Sequence, residues 1–418
     1  MAKENNKNRS TFKLVIKGFD WGPGYWKMII DLKSEVKDIS NTSFKVEAKK
    51  HYEVYEPSSK EIKKEIGKEE VEVLESYLSD AKGNKQQTSS QYVTLELHVH
   101  PDNIFTNPFK YSLETGLNTY EPVKYKITML QSVYNLNDEE IEGFVLKSVD
   151  CTETLEPEAS LFEKGTFAYT DADYGDINLT YASFTPDPKK SKRPLIILLH
   201  GAGEGGTDPR IALYGNKVVA LASEKIQSYF DGAYVLVPQA PTMWMDSGEG
   251  EYTKTGQSKY TKALVALIKE YMDKKSIDRD RIYLGGGSNG GYMTMNLLLE
   301  NPELFTAAFP ICQAYASEWV SDEKLGRIKE VPIWFIHGEN DPVVLFEKTA
   351  KNIGERLNRL GAKEVKVTTF ENVVDTSGKY KTKDNASYKY NDHWSWVYVY
   401  NDEIEDENVS LFEWLASK

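Results

Sequence analysis

RIYLGGGSNGGYMTMNLLL, residues 281–299, is the stretch that decides the fold. Its first four residues predict a short buried strand, and the apolar run from Gly291 predicts a helix that a proline soon ends. Between them lies a G-x-S-x-G motif centred on Ser288, with Gly286 and Gly290 two residues to either side. A strand that turns into a helix this sharply strains its pivot and leaves no room for side chains at those two places. The motif predicts a Ser288 hydroxyl at the tip of the turn, at the positive end of a helix.

The same glycines allow two other interpretations. One is an ordinary glycine-rich loop, because a lone G-x-S-x-G motif is common by chance. The other is a phosphate-binding G-x-G-x-x-G turn, but no acidic residue follows on a next strand at the distance such sites use. A strand before the motif and a helix after it favour a nucleophilic serine.

Length and composition limit the choice of function. A chain of 418 residues suits two domains, and a 40% hydrophobic content suffices for a core. A formal net charge of −13 argues against a nucleic-acid partner. No run of about 18 apolar residues is present, so no membrane span is expected. Cys151 and Cys312 fall in different expected domains and indicate neither a disulfide framework nor a metal site.

The first ten residues are polar, and we expect residues 1–10 to be disordered. Such a start suits a native terminus or one from which a leader was removed. We expect a secreted or cell-surface protein that has lost its leader, with the cytoplasm as the alternative.

Residues 11–158 have the pattern of an all-β domain. Six or seven short alternating strands in about 140 residues predict a sandwich of immunoglobulin type. Ser58–Tyr77 is charged and fits either a helix or a long hairpin. His98 and His100 share a face of one expected strand, where ordinary strand histidines are a simpler interpretation than a metal pair. This domain could bind carbohydrate, mediate a homo-oligomer or cover the mouth of a catalytic site.

Residues 159–418 alternate apolar strands with helices. Two β-rich segments, 165–169 and 178–184, come first. The expected strands are 194–199, 233–237, 282–284, 307–311, 331–336 and 365–370, and the expected helices lie near 218–229, 260–273, 291–300 and 346–360. This order predicts a mostly parallel sheet covered on both faces, in which catalytic residues collect at the carboxyl ends of the strands.

Two segments directly after expected strand ends hold groups for catalysis. The first, HGAGEGG at 200–206, has small residues that let backbone N–H groups point into a cavity. Together with the N–H of Asn289, these groups can bind an oxyanion. In the second segment, Asp341 could hold an imidazole in the required tautomer. The rival acids are Glu339, Asp375, Asp384 and Asp392.

The general base follows partly by elimination, because the chain has 6 histidines and three of them lie in the first domain. His200 and His337 each precede a glycine at an expected strand end, where shaping a turn is the favoured role. His393 remains, in a polar loop late in the chain. The order Ser288, Asp341, His393 is the nucleophile–acid–base order of α/β-hydrolases.

The catalytic half resembles the bacterial esterases grouped with polyhydroxybutyrate-depolymerase-like and prolyl-oligopeptidase-like α/β-hydrolases. The motifs that carry this resemblance are HGAGE at 200–204, GxSxG at 286–290, HGxxDxxV at 337–344, and HxxW at 393–396 followed by Tyr400. The whole chain resembles two-domain esterases of the esterase A type, in which an immunoglobulin-like domain precedes the hydrolase domain. Such esterases often carry an arginine where this chain has Gly205, which puts a substrate contact from that position in doubt.

The resemblance implies a serine carboxylesterase that hydrolyses short-chain or aromatic esters, of the acetyl or feruloyl type, without a metal or organic cofactor. His393 would take the proton of Ser288, Asp341 would orient His393, and the N–H groups of Ala202 and Asn289 would hold the oxyanion. The candidate pocket residues are Gly203, Trp244, Gln313 and Trp396. The expected partner is a small-molecule or polysaccharide-linked ester.

Two rival functions fit the same residues. A prolyl-oligopeptidase-like serine peptidase would use the same triad, but seven short strands cannot form the propeller that restricts access in many of those enzymes. The other rival is an inactive hydrolase that serves as a carbohydrate-binding or adhesion module, and the complete set of catalytic residues argues against it.

Overall fold

The computed structural model describes residues 9–40, 42–187 and 192–418. The chain divides into two compact units. The first comprises Met1–Thr115 and Thr119–Pro157, and the second comprises Gly116–Asn118 and Glu158–Lys418. Most of the start that we expect to be disordered, residues 1–8, lies outside the described residues.

The first unit is built almost entirely from β-strands. They are β1 (Thr11–Phe19), β2 (Gly22–Val36), β3 (Phe44–Glu56), β4 (Glu61–Val71), β5 (Val73–Ser79), β6 (Ser90–Leu97), β7 (Phe109–Tyr111), β8 (Asn118–Tyr120), β9 (Lys124–Met129), β10 (Val133–Tyr134), β11 (Glu140–Ile141), β12 (Val145–Lys147) and β13 (Cys151–Leu155). Two sheets hold most of them, in the orders β13-β1-β2-β6-β5 and β12-β9-β3-β4. Alternate residues at the start of β3 are buried, so the strand turns one face to a core, as in a sandwich.

The charged segment 58–77 forms a hairpin rather than a helix. Strands β3 and β4 pair antiparallel from Val46 opposite Val71 to Glu56 opposite Glu61. Nearly every residue of β4 is exposed, which explains its charged composition. The expectation of six or seven short strands is wrong for the described residues, because β2 and β3 alone have 15 and 13 residues and several two- or three-residue strands are added.

The second unit combines strands with helices. Its strands are β14 (Phe162–Asp171), β15 (Gly175–Phe184), β16 (Arg193–Leu199), β17 (Tyr234–Gln239), β18 (Ile277–Gly287), β19 (Ala307–Ile311), β20 (Ile333–Gly338), β21 (Val365–Phe370), β22 (Glu405–Asp406) and β23 (Val409–Ser410). Its α-helices are α1 (Pro209–Tyr214), α2 (Glu224–Tyr229), α3 (Thr261–Lys274), α4 (Asn289–Glu300), α5 (Asp322–Gly326), α6 (Ala350–Arg359), α7 (Trp396–Tyr400) and α8 (Leu411–Ala416). Short 3₁₀ helices in the two units are Ile104–Thr106, Ser148–Asp150, Ala159–Leu161, Ala202–Glu204, Val218–Ala222, Pro302–Leu304, Ser317–Trp319 and Phe346–Lys348.

An eight-stranded sheet organises this unit, in the order β14-β15-β17-β16-β18-β19-β20-β21. Strands β14 and β15 pair antiparallel, and β15 also pairs antiparallel with β17, whereas β16 to β21 run parallel. All residues of β16, β17, β19 and β20 are buried, as expected for strands covered on both faces. This is the α/β-hydrolase fold that the sequence predicts.

Several boundaries differ from the expected ones. Strand β18 begins five residues before the expected 282–284 because its polar first half also pairs with a neighbour, at Ile277. The expected helix 218–229 is split at Ser223, whose side chain caps α2 by accepting a hydrogen bond from the Ile226 N–H. Helices α1, α5, α7 and α8 have only five or six residues, too few to show a helical period in the sequence.

Candidate active site

The predicted sharp turn joins β18 to α4. Ser288 is its pivot, with φ 55° and ψ −111°, a conformation that costs energy for a residue with a side chain. A Cβ atom on Gly286 would lie 2.5 Å from the Gly290 oxygen, and one on Gly290 would lie 2.0 Å from the Leu199 oxygen. Both positions of the motif therefore require glycine, because a side chain at either one would collide with the backbone, as the sequence motif predicts.

The sheet register brings the end of β16 beside this turn. Leu199 pairs with Gly286 across the two strands, so the loop that follows β16 starts next to the first turn of α4. That loop contains Ala202 and Gly203, which are partly exposed, in a 3₁₀ helix whose last residue, Glu204, is buried. The N–H groups expected to bind an oxyanion thus belong to neighbouring segments.

His393 contacts both other residues of the expected triad. Its Nε2 lies 2.9 Å from Ser288 Oγ, and its Nδ1 lies 2.7 Å from Asp341 Oδ2. A carboxylate only accepts hydrogen bonds, so Nδ1 carries the proton and Nε2 accepts from the serine hydroxyl. The Asn391 side chain, which accepts a hydrogen bond from the His393 N–H at 2.9 Å, holds the loop that carries the ring. This geometry allows the imidazole to take the Ser288 proton.

The Asp341 carboxylate is held from both sides. Oδ1 accepts hydrogen bonds from the N–H groups of Val343 and Val344, each at 2.8 Å. Oδ2 faces His393 and also lies 3.3 Å from His337 Nε2. Burial by itself would raise the pKa of Asp341, but the hydrogen bonds from the two histidines outweigh it and hold that pKa below its ordinary value.

Surrounding groups also shift the pKa of His393. Burial would lower it, but the interactions with Cys312 and Asp341 outweigh burial and raise it above the ordinary imidazole value. The negative carboxylate stabilises the charged ring that forms when the serine gives up its proton. The ring is therefore a stronger base than a free imidazole.

The rival acids have other partners. Glu339 accepts a hydrogen bond from Thr369 Oγ1 at 2.6 Å, and Asp375 accepts one from Ser377 Oγ at 2.7 Å. Asp392 accepts a hydrogen bond from the Val373 N–H at 3.0 Å, and Asp384 is exposed. Among these acids, Asp341 is the one whose carboxylate contacts the His393 ring.

His337 has a contact that the sequence argument missed. We expect it to shape a turn, and its Nε2–H does donate to the Val344 oxygen at 2.9 Å. The same nitrogen lies beside the Asp341 carboxylate, and the ring is completely buried. The four-residue spacing between His337 and Asp341 across a tight strand-end turn is the signal that could have indicated this pair.

The candidate pocket residues differ in their surroundings. Trp244 is completely buried and packs in the core with Tyr260. Gln313 is also completely buried, and its Oε1 accepts a hydrogen bond from the Tyr315 N–H at 2.6 Å. Trp396 packs edge-on to His393, with ring centroids 5.4 Å apart. Of these three side chains, Trp396 lies in contact with a residue of the expected triad.

Gly205 occupies the place where related esterases often have an arginine. A Cβ atom there would lie 1.6 Å from the Thr242 oxygen. The backbone at this position therefore excludes a side chain, which gives a steric reason for the departure from the family pattern.

The described residues contain no group of three or more His, Cys, Asp or Glu side chains arranged to hold a metal ion. His98 and His100 lie with ring centroids 5.9 Å apart, near Glu72 and Asp102 respectively. In the same ranges no helix is long and apolar enough to cross a membrane.

Comparisons with known proteins identify both parts of the chain. Residues 11–142 match the family model of the esterase Ig-like N-terminal domain, and residues 182–381 match that of phospholipase/carboxylesterase. The chain is a serine carboxylic ester hydrolase with an immunoglobulin-like N-terminal domain. The crystal structure of a thermostable esterase is similar to this ester hydrolase over 97% of this chain and 99% of its own, with 26% identity and a TM-score of 0.75.

Two relatives of this ester hydrolase have named activities. Acyl-protein thioesterase 1 of Debaryomyces hansenii is 27% identical over 232 residues, which cover 49% of this chain and 92% of the relative. Feruloyl esterase B of Thermothelomyces thermophilus is 28% identical over 142 residues, which cover 32% of this chain and 45% of the relative.

Proposed function

We propose that this esterase hydrolyses short-chain and aromatic carboxylic esters through an acyl-enzyme formed on Ser288. The observation that carries the proposal is the continuous hydrogen-bonded chain from Ser288 Oγ through the His393 ring to Asp341 Oδ2. Such a chain is the arrangement that activates a weakly nucleophilic hydroxyl.

The mechanism follows from this chain of hydrogen bonds. His393 Nε2 accepts the proton as Ser288 Oγ attacks the ester carbonyl, and Asp341 stabilises the resulting imidazolium. The N–H groups of Ala202 and Asn289 bind the oxyanion, each contributing on the order of 3 kcal/mol to the transition state. His393 then gives its proton to the leaving alcohol, and water, activated by the same ring, releases the acid.

A row of aromatic rings beside His393 supports an aromatic acyl group. Trp396 stacks on Trp394 with centroids 6.0 Å apart, and Trp394 stacks on Tyr390 at 5.9 Å. Trp394 is partly exposed, and we expect the open part of its ring to contact a planar substrate group. The feruloyl esterase relative is consistent with this preference.

A panel of acyl donors tests the substrate class. We expect p-nitrophenyl acetate, p-nitrophenyl butyrate and methyl ferulate to be hydrolysed at least about 10-fold faster, in kcat/KM, than a long-chain ester or a peptide anilide. An S-acyl thioester belongs in the panel because of the thioesterase relative. Faster anilide cleavage than ester cleavage would instead favour the peptidase alternative.

The variant Trp394→Ala tests the preference for an aromatic acyl group. It should lower kcat/KM for methyl ferulate about 10-fold, as expected for the loss of one aromatic contact, and leave the acetyl ester nearly unchanged. An equal loss for both esters would contradict the role of this ring in recognising the acyl group.

A further inference from the structure

Two buried ionisable side chains outside the triad surround the oxyanion loop. His200 and Glu204 are both nearly inaccessible to solvent, and neither contacts the Ser288 hydroxyl in any hydrogen bond within the described residues. The proposed chemistry gives neither of them a proton to transfer. Their contacts converge instead on Gly201, the residue between His200 and Ala202.

His200 uses both ring nitrogens on backbone groups. Nδ1 lies 2.6 Å from the Gly201 oxygen, and Nε2 accepts a hydrogen bond from the Ala240 N–H at 3.0 Å. A carbonyl oxygen can only accept and an N–H can only donate, so the ring is neutral with its proton on Nδ1. Burial lowers the pKa of His200 to about 4 and keeps the ring in this form at neutral pH.

Holding the Gly201 oxygen also determines where the next N–H points. The peptide group is planar and trans, so the Gly201 C=O and the Ala202 N–H point in opposite directions. The Gly201 oxygen also accepts from the Glu204 N–H at 3.3 Å. A rotation of this peptide that moved the Ala202 N–H would break both hydrogen bonds.

Glu204 holds the same glycine from its other side. Its carboxylate accepts a hydrogen bond from Asn216 Nδ2 at 3.4 Å and lies against the Gly201 backbone, where a Cβ atom would lie 2.7 Å from Glu204 Oε2. A Cβ atom on Gly215 would lie 2.4 Å from Glu204 Cγ, so the side chain lies in a close-fitting space beside the C-terminus of α1. Burial raises the pKa of Glu204 to about 7, although hydrogen bonds to the carboxylate oppose the shift.

The end of β17 anchors the loop as well. Gln239 Nε2 donates to the Glu204 oxygen at 2.9 Å, and the Gly206 N–H donates to the Ala240 oxygen at 2.8 Å. With the hydrogen bond from the Ala240 N–H to His200, these contacts fix both ends of the loop to the end of β17. His200 and Glu204 set the orientation of the peptide between them.

We propose that His200 and Glu204 are positioning residues that hold the Gly201–Ala202 peptide so that the Ala202 N–H faces the developing oxyanion. This inference rests on the proposed function, because it needs Ala202 as an oxyanion donor. His200 and Glu204 would then contribute to transition-state stabilisation through the Ala202 N–H, although neither side chain contacts the substrate.

The variants His200→Asn and His200→Gln test the two hydrogen bonds of the His200 ring one at a time. In His200→Asn the amide nitrogen stands near the former Nδ1 and still donates to the Gly201 oxygen. In His200→Gln the amide oxygen stands near the former Nε2 and still accepts from the Ala240 N–H. Each variant leaves one buried backbone group unpaired, so both should lower the melting temperature by similar amounts.

Catalytic measurements should distinguish His200→Gln from His200→Asn. We expect His200→Gln to lower kcat for p-nitrophenyl acetate about 30-fold with little change in KM, because one oxyanion donor is misplaced. Its affinity for phenylboronic acid, which forms a tetrahedral adduct with an active serine, should fall in parallel. His200→Asn should stay within about threefold of the parent in both measurements.

A second pair tests Glu204 and keeps the inference testable if His200→Gln fails to fold. Glu204→Gln keeps the reach of the side chain and loses its charge, whereas Glu204→Asp keeps the charge and loses the reach. We expect kcat to fall about 10-fold in Glu204→Asp and to stay near the parent value in Glu204→Gln.

Equal losses within both pairs would overturn the positioning role, since they would show that only packing or charge matters. Failure of the proposed function gives a different result: the parent itself would neither hydrolyse the ester nor bind the boronic acid. Measuring the parent alongside the four variants therefore distinguishes the two failures.

Discussion

The histidines of the two units differ in their surroundings. His98 and His100 of the first unit keep 45% and 21% of their side chains exposed and lie 3.5 and 3.7 Å from carboxylates. His200, His337 and His393 of the second unit are buried, and each places a ring nitrogen against a group fixed by the fold. Water can replace the partners of the partly exposed rings, but it has little access to the buried ones. The comparison teaches that burial and fixed partners, more than residue type, indicate where chemistry occurs.

The largest loss of activity is expected from removing the nucleophile. Ser288→Ala should lower ester turnover by at least about 10⁴-fold, because the remaining groups have no hydroxyl to activate. Its melting temperature should change little, since the hydroxyl is small and the strained backbone remains. Ester turnover and a thermal unfolding curve of the purified chain measure both effects.

The matched control for Ser288→Ala is the double substitution His98→Ala and His100→Ala in the first unit. Turnover should be unchanged and the free energy of unfolding should shift by less than about 1 kcal/mol, as for partly exposed surface residues. Loss of turnover in this control would show that this histidine pair takes part in catalysis and that the comparison is wrong.

Asp341→Asn should have the next largest effect, a loss of kcat of about 10⁴-fold. The amide can donate to His393 Nδ1 and so favour the wrong tautomer for accepting the serine proton. A loss of less than tenfold would mean that another acid, such as Asp392, orients the ring.

The same variant changes the pH dependence of activity. Turnover requires the neutral ring, and the pKa of His393 is raised, so the parent should lose activity as pH falls through a midpoint above about 6.5. Without the carboxylate the residual activity of Asp341→Asn should persist to lower pH. A pH profile of kcat/KM measures the midpoint, and a shift to higher pH would contradict the assigned cause.

The smallest effect is expected at His337, which contacts the Asp341 oxygen, Oδ2, that also faces His393. His337→Asn is too short to reach Asp341, whereas His337→Gln can place its amide near the former Nε2. We expect kcat to fall about 10-fold in the first variant and about twofold in the second. Equal activities would show that the contact only supports the fold.

Much of the catalytic half can be predicted from local sequence. Gly286 and Gly290 on either side of Ser288 indicate the sharp turn because their steric requirement is local. Strand β21 and strand β19 have the bounds expected from their apolar runs. Helices α1, α5, α7 and α8 could not be predicted, since five or six residues are too few to show a helical period.

The functional contacts were harder to predict. Glutamate is usually a surface residue, yet Glu204 is buried. The sequence predicts for His337 only a role in shaping a turn, yet its ring is also buried. The contacts of Glu204 have no sequence signature, because they depend on which groups the sheet brings to one edge, whereas the contact of His337 is indicated only by its four-residue spacing from Asp341. Ser288, Asp341 and His393 lie in one hydrogen-bonded chain, while their catalytic roles stay a prediction.

By itself, the sequence determined the main alternation of strands and helices in the second unit, the glycine-bounded pivot at Ser288 and the small set of acids and bases. Those features follow from local sterics and hydrophobic patterning, which act between residues close in the chain. Only the tertiary structure decided that Asp341 contacts His393 and that His200 accepts a hydrogen bond from the Ala240 N–H. These contacts depend on the parallel pairing of strands far apart in sequence and on the exclusion of water, and no short segment encodes either.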